Sequence, residues 1–127
     1  MAASTREARR DQGGRSRTWT LTALSGIALL VLVTIHMVAH HFVVHEIGGL
    51  RTYEQVLEYL GNPVIVVLEL ALLVAVTIHA MLGLRSVLFD LGLSTRTKRI
   101  VTRGLVALGV LTIAYGIVLI GVLASRA

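Results

Sequence analysis

The chain reads as an all-α integral membrane protein with three transmembrane helices running up, down and up. Three observations predict this. The 127 residues are 55% apolar and their mean hydropathy is +0.80, above the roughly 45–50% apolar content of soluble domains. The apolar residues fall in three runs, 19–44, 64–89 and 100–123, each longer than the roughly 20 residues needed to cross a hydrocarbon core. Cysteine is absent, which excludes disulfides and cysteine-ligated iron–sulfur clusters. The polar segments are too short to enclose a flavin or a nucleotide. One unit is expected: a transmembrane domain over 19–127 preceded by a polar arm over 1–18.

The arm, MAASTREARRDQGGRSRT, has little to bury and is expected to be disordered at least in part. The run that begins at Trp19 is too long for the roughly 7–15-residue core of a signal peptide, so it should remain as a span. Trp19 suits the interfacial aromatic belt. Between the first two spans, TYEQVLEYLGNP reads as a short amphipathic helix. Thr52 is placed as its N-cap, with Gln55 three residues on as in a capping box. Gly61-Asn62-Pro63 ends it, and Pro63 fits the first turn of the next helix. GLSTRTKR is a short polar connection between the second and third spans.

The net charge is +5 and the isoelectric point near 10.8. In a soluble chain that would point to nucleic acid; here the basic residues flank spans and set topology. Arg6, Arg9, Arg10, Arg15 and Arg17 lie in the arm, and Arg96, Lys98, Arg99 and Arg103 lie at the second connection. The opposite side carries only Arg51 and Arg126. The positive-inside rule therefore puts the N-terminus in the cytoplasm and the C-terminus outside. Glu7 and Asp11 weigh against a mitochondrial transit peptide, favouring a bacterial or archaeal plasma membrane.

Ionisable groups inside spans are costly and mark functional candidates. Here they are His36, His40, His41, Glu69, His79 and Arg85, with Asp90 at a boundary. At 100° per residue His79, Gly83, Ser86 and Asp90 share one stripe. Gly83 lies one turn beyond the imidazole, where a flat macrocycle beside its axial ligand needs a missing side chain. A haem is such a ligand; a histidine bonded to a neighbouring helix, with Gly83 serving close packing, is the other reading. His36 and His40 are four apart and face the same way, a spacing that also suits zinc. Ser25 falls three turns before His36 on nearly the same face. His40, His41 and His45 approach the outer surface, either as interfacial groups or as a metal site. Glu69 is either a proton or quinone-site group or the partner of a polar group on another helix. At 1.5 Å per residue His36 lies about 22 Å, and His79 about 15 Å, from the cytoplasmic end of its span. That difference favours two cofactors at different depths.

These motifs resemble the membrane-anchor cytochrome b subunits of succinate:quinone oxidoreductases, the succinate dehydrogenases and fumarate reductases. His79-Ala-Met-Leu-Gly83-Leu-Arg85, continuing to Asp90, is similar to the family pattern H-x3-G-x-R-x4-D. Ser25-Gly26 and His36 resemble the family's first helix, HMVAHHF resembles the di-haem members, and YEQVLEYLGNP with the Glu69 region resembles the connection into helix two. The resemblance covers about residues 19–105.

It implies half of a six-helix bundle, completed by a second anchor subunit. Two b haems would be shared between the anchors, with His36 and His79 as axial ligands and Ser25, His41 and Gly83 in the haem environment. Ser25, Glu69, Arg85 and Asp90 become quinone-site candidates. An iron–sulfur subunit and a flavoprotein subunit complete the enzyme, succinate chemistry lies on another subunit, and this chain passes electrons between the iron–sulfur subunit and membrane quinone. The chain departs from the family at Ala23, where members often carry Arg, and at Leu91, where Tyr often follows the Asp. The companion anchor would then supply more of the quinone site. Two other functions fit the residues: a haem-free structural anchor, and a small His-rich metal-binding membrane protein.

Overall fold

The structure, a computed structural model, describes the backbone of residues 2–43 and 52–127 and the side chains of residues 17–42 and 52–127. Four helices follow one another: α1 (Ala2–Val43), α2 (Tyr53–Leu60), α3 (Pro63–Asp90) and α4 (Thr95–Ala124). No strand occurs among the described residues. Three helices are long and apolar enough to cross a membrane, over Arg17–Phe42, Pro63–Asp90 and Thr95–Ala124. His45 and Gly48-Gly49 lie outside the described residues.

Two boundaries differ from the sequence reading. The arm expected to be partly disordered is the helical start of α1. Its Ala, Arg, Glu and Gln residues have high helix propensity, and extending an existing helix avoids the nucleation cost. α4 likewise begins at Thr95 rather than at 100. Ser94 caps it by accepting from the Thr97 backbone N–H, so TRTKR is the first turn of a helix rather than a connection. The remaining turn uses Gly92 at φ 69°, a left-handed conformation open to glycine.

The start of α3 matches its sequence signals. Thr52 caps α2 with the reciprocal Gln55 bond of a capping box. Asn62 Oδ1 accepts from Val64 N–H at 2.9 Å and Pro63 opens α3. α2 therefore turns directly into α3 and lies across one end of the spans. Its Tyr59 and Leu60 bury with Ile65 against Ala39 of α1 and Ile120 and Leu123 of α4. The end of α1, the start of α3 and the end of α4 thus share one side, as an up-down-up path requires.

α3 is central, packed on α1 and on α4. The three spans form an open layer: no large side chain is fully buried among the described residues. Leu30, Met37, Leu111, Val118 and many other apolar side chains are exposed on the chain alone. Lipid or further protein must cover that surface, since exposed patches of this extent do not occur on soluble monomers. Trp19 is exposed near the start of the first span, as an interfacial residue would be.

Candidate functional site

The seam between α1 and α3 carries polar side chains at two levels. At the first, His79 Nδ1 lies 3.1 Å from Ser25 Oγ. The Ser25 hydroxyl donates its proton to the Thr22 carbonyl at 2.9 Å. With that proton committed, Ser25 accepts from His79 Nδ1–H, and the lone pair of the imidazole sits on Nε2. Gly26 lets the ring lie close: a Cβ there would come 3.2 Å from His79 Cε1.

At the second level, His36 Nδ1–H donates to Glu69 Oε1 at 2.7 Å. The same oxygen accepts from the Tyr59 hydroxyl, also at 2.7 Å. A carboxyl group in a span is costly without partners, and here it has one on α1 and one on α2. His40 stands beside this group. Its Nε2 is 3.9 Å from Glu69 Oε1, and its ring lies 4.2 Å from that of His36 and 4.3 Å from that of Tyr59, centroid to centroid. His36, His40 and Glu69 offer ligand atoms within 4.8 Å of one another. The His36–Glu69 pair realises the reading in which Glu69 meets a polar neighbour on another helix.

The levels are well separated. Ser25 to His36 is eleven residues of α1 and Glu69 to His79 is ten of α3, so each route gives about 15 Å at 1.5 Å per residue. The separation of about 7 Å drawn from span ends was too small, because helix boundaries misplace by several residues whereas a side-chain pair fixes register.

The other candidates divide between the ends. Arg85 and Asp90 continue α3 beyond His79, away from Glu69. The Arg85 guanidinium stacks over Phe89 at 4.3 Å from the ring centroid, and its Nε–H donates to Thr102 Oγ1 of α4 at 3.4 Å. Asp90 is the exposed last residue of α3. Ser25, Arg85 and Asp90 therefore belong to the His79 half, and Glu69 to the His36 half. His41 is exposed, with its ring edge-on to Phe42, outside the His36–Glu69 pair. Gly83 has no atom of the described residues within 4 Å of where a Cβ would stand, so it serves no close packing among them.

Tyr59 and Gly26 were not singled out as site residues in the sequence. Tyr59 had a signal: a tyrosine on the apolar face of an amphipathic helix must find a partner for its hydroxyl. Gly26 had one only through its place beside Ser25.

The fold and these levels define an all-α membrane anchor of three spans, with histidines held at two depths. Residues 13–119 match the sequence profile of the succinate dehydrogenase/fumarate reductase transmembrane subunit. A succinate dehydrogenase hydrophobic membrane anchor subunit from Archaeoglobus fulgidus is 32% identical over 102 residues, covering 80% of this chain and 85% of that protein. The chain belongs to the family of succinate dehydrogenase/fumarate reductase transmembrane subunits. It is a membrane-anchor subunit, a multi-pass membrane component that associates with the other subunits of such an enzyme. Membership sets aside the reading as an independent metal-binding protein.

Proposed function

We propose that this anchor binds b haem and passes electrons between the iron–sulfur subunit and membrane quinone. His79 and His36 would each hold one haem through Nε2. A second anchor would supply the opposing imidazoles and the remaining helices of a six-helix bundle. The observation that carries the reading is the same at both levels: Nδ1 is engaged by an oxygen, which orients the ring and leaves Nε2 as the ligating atom. The donor set fits, since neutral imidazole is a common axial group. The open space beside Gly83, one turn from His79, fits a flat macrocycle. When bound, haem supplies reversible one-electron transfer within the membrane. The protein's part is to orient the imidazoles, hold them at two depths and exclude water from the seam.

Ser25, Arg85 and Asp90 lie toward the basic end of the spans, and we assign the quinone side of this chain there. Ala23 and Leu91 flank that region without polar groups, so the partner anchor contributes the rest. The excess of Arg and Lys on that end supports a cytoplasmic position for it, with the C-terminus outside. A reporter fused after Ala127 is then active only on the outer face; cytoplasmic activity would reverse the orientation.

Haem content per flavin in the purified complex tests the ligand assignment. His79→Ala removes the haem nearer the cytoplasm and slows quinone reduction by at least about tenfold, as loss of a metal ligand should. His36→Ala removes the other haem and spares the first. Full haem in both variants would refute the assignment. A well-assembled wild-type complex with flavin and no reduced b-type bands would leave the haem-free structural anchor as the function.

A further inference from the structure

The two histidines have different partners behind them. Ser25 offers His79 a neutral hydroxyl whose own proton is already given to Thr22. Glu69 offers His36 a carboxylate, the stronger acceptor, at 2.7 Å against 3.1 Å. The carboxylate is itself restrained: Tyr59 donates to the same oxygen at 2.7 Å and is buried. Two donors therefore share one oxygen, and what one draws the other loses.

We propose that Glu69 is the positioning residue of His36 and that Tyr59 sets its strength, so that this pair tunes the electron affinity of whatever iron His36 ligates. The inference rests on His36 as a haem ligand. A carboxylate accepting Nδ1–H pushes electron density into the ring and makes Nε2 a more basic ligand. A more basic axial ligand stabilises ferric over ferrous iron and lowers the reduction potential. The Tyr59 hydroxyl withdraws part of that density. α2, the short amphipathic helix across the spans, then has a role beyond connecting α1 to α3: it delivers Tyr59 to the carboxylate. His40, in ring contact with both His36 and Tyr59, completes the enclosure.

This makes the two variants act in opposite directions, which a merely structural role does not. Glu69→Gln keeps an acceptor oxygen and removes the charge; the haem lost in His36→Ala should become easier to reduce. The expected change is about tenfold in its reduced-to-oxidised ratio at fixed potential, or about 59 mV for a one-electron couple. Tyr59→Phe keeps the ring and removes the competing donor; the same haem should become harder to reduce. The haem lost in His79→Ala should stay at its wild-type potential in both.

The measurement is a spectroelectrochemical redox titration of the whole purified complex, with haem per flavin determined on the same samples. Shifts of opposite sign confined to one haem support the proposal. Unchanged potentials at full haem content overturn it while leaving the ligand assignment standing. Shifts of the same sign in both variants, or equal shifts in both haems, also overturn it, since they report loosened packing. Stoichiometric zinc in the wild-type complex that is lost in Glu69→Gln would overturn it too, by assigning His36, His40 and Glu69 to a different ion. Failure of the ligand assignment itself is read separately, as full haem in His36→Ala.

Discussion

α3 joins its two neighbours by different means. Toward α1 it presents Glu69 and His79, each hydrogen-bonded across the seam. Toward α4 it presents Leu73, Thr77 and Met81 against Gly109 and Gly116. Thr77 is buried there and its hydroxyl turns back to the Leu73 carbonyl at 2.7 Å, giving nothing to α4. In lipid, burial of apolar surface does not drive helices together, so a seam is held by close packing or by interhelical hydrogen bonds. α3 meets α1 through hydrogen bonds at two levels and meets α4 mainly by close packing, with Arg85 Nε–H donating to Thr102 Oγ1 nearer the end of the span. His36, Glu69 and His79 meet on the α1 face, and the α4 face, Arg85 apart, acts as scaffold.

Breaking the scaffold face should give the largest effect on stability. A Cβ at Gly116 would collide with the Leu73 side chain. Gly116→Leu must push α3 and α4 apart or force Leu73 into a poor rotamer, at about 1–3 kcal/mol for overpacking. The helix-propensity gain on replacing glycine, up to about 1 kcal/mol, offsets only part of this. The detergent-solubilised complex should unfold at a clearly lower temperature, and the haem bands expected from the proposed ligation should be lost together as the anchor opens. A variant with wild-type stability would mean that the α3–α4 seam is not held by that close approach.

The fold was legible because its signals are one-dimensional. Three apolar runs, a capping box at Thr52 and a helix start at Pro63 need only local sequence, and the structure places them as expected. What the sequence could not carry was register. Glu69 could be recognised as a costly group that needed a partner, but choosing among the polar groups of α1 required the helix-to-helix alignment. That alignment puts Ser25 against His79 and His36 against Glu69. The same lack of register compressed the two depths to about half their separation. The arm's helicity was missed for a different reason: its composition lacks a buried face, yet a helix seeded in the membrane extends into it without paying for nucleation. Tyr59 was visible as part of the amphipathic helix, though its hydroxyl's destination depended on α2 folding back over α3.

The smallest effect on stability sharpens the comparison most. Gly26 and Gly83 are both small residues near His79, but of the two only Gly26 is placed so that a Cβ would press on the imidazole. Beside Gly83 the described residues leave open space. An alanine there meets none of the described residues and gains helix propensity, so Gly83→Ala should leave the unfolding free energy unchanged or raise it by up to about 1 kcal/mol. Gly83→Leu should also leave the chain folded, since its side chain enters the same open space. Yet that space lies on the His79 stripe, where a macrocycle held by His79 needs room. Gly83→Leu should therefore cost the His79 haem most of its occupancy and leave the His36 haem intact, as read from haem per flavin in the assembled complex. Full occupancy of both haems in Gly83→Leu would remove Gly83 from the haem environment. Loss of the second anchor from the complex, with haem lost only as a consequence, would instead give the open space to a partner helix and make Gly83 a contact of the six-helix bundle.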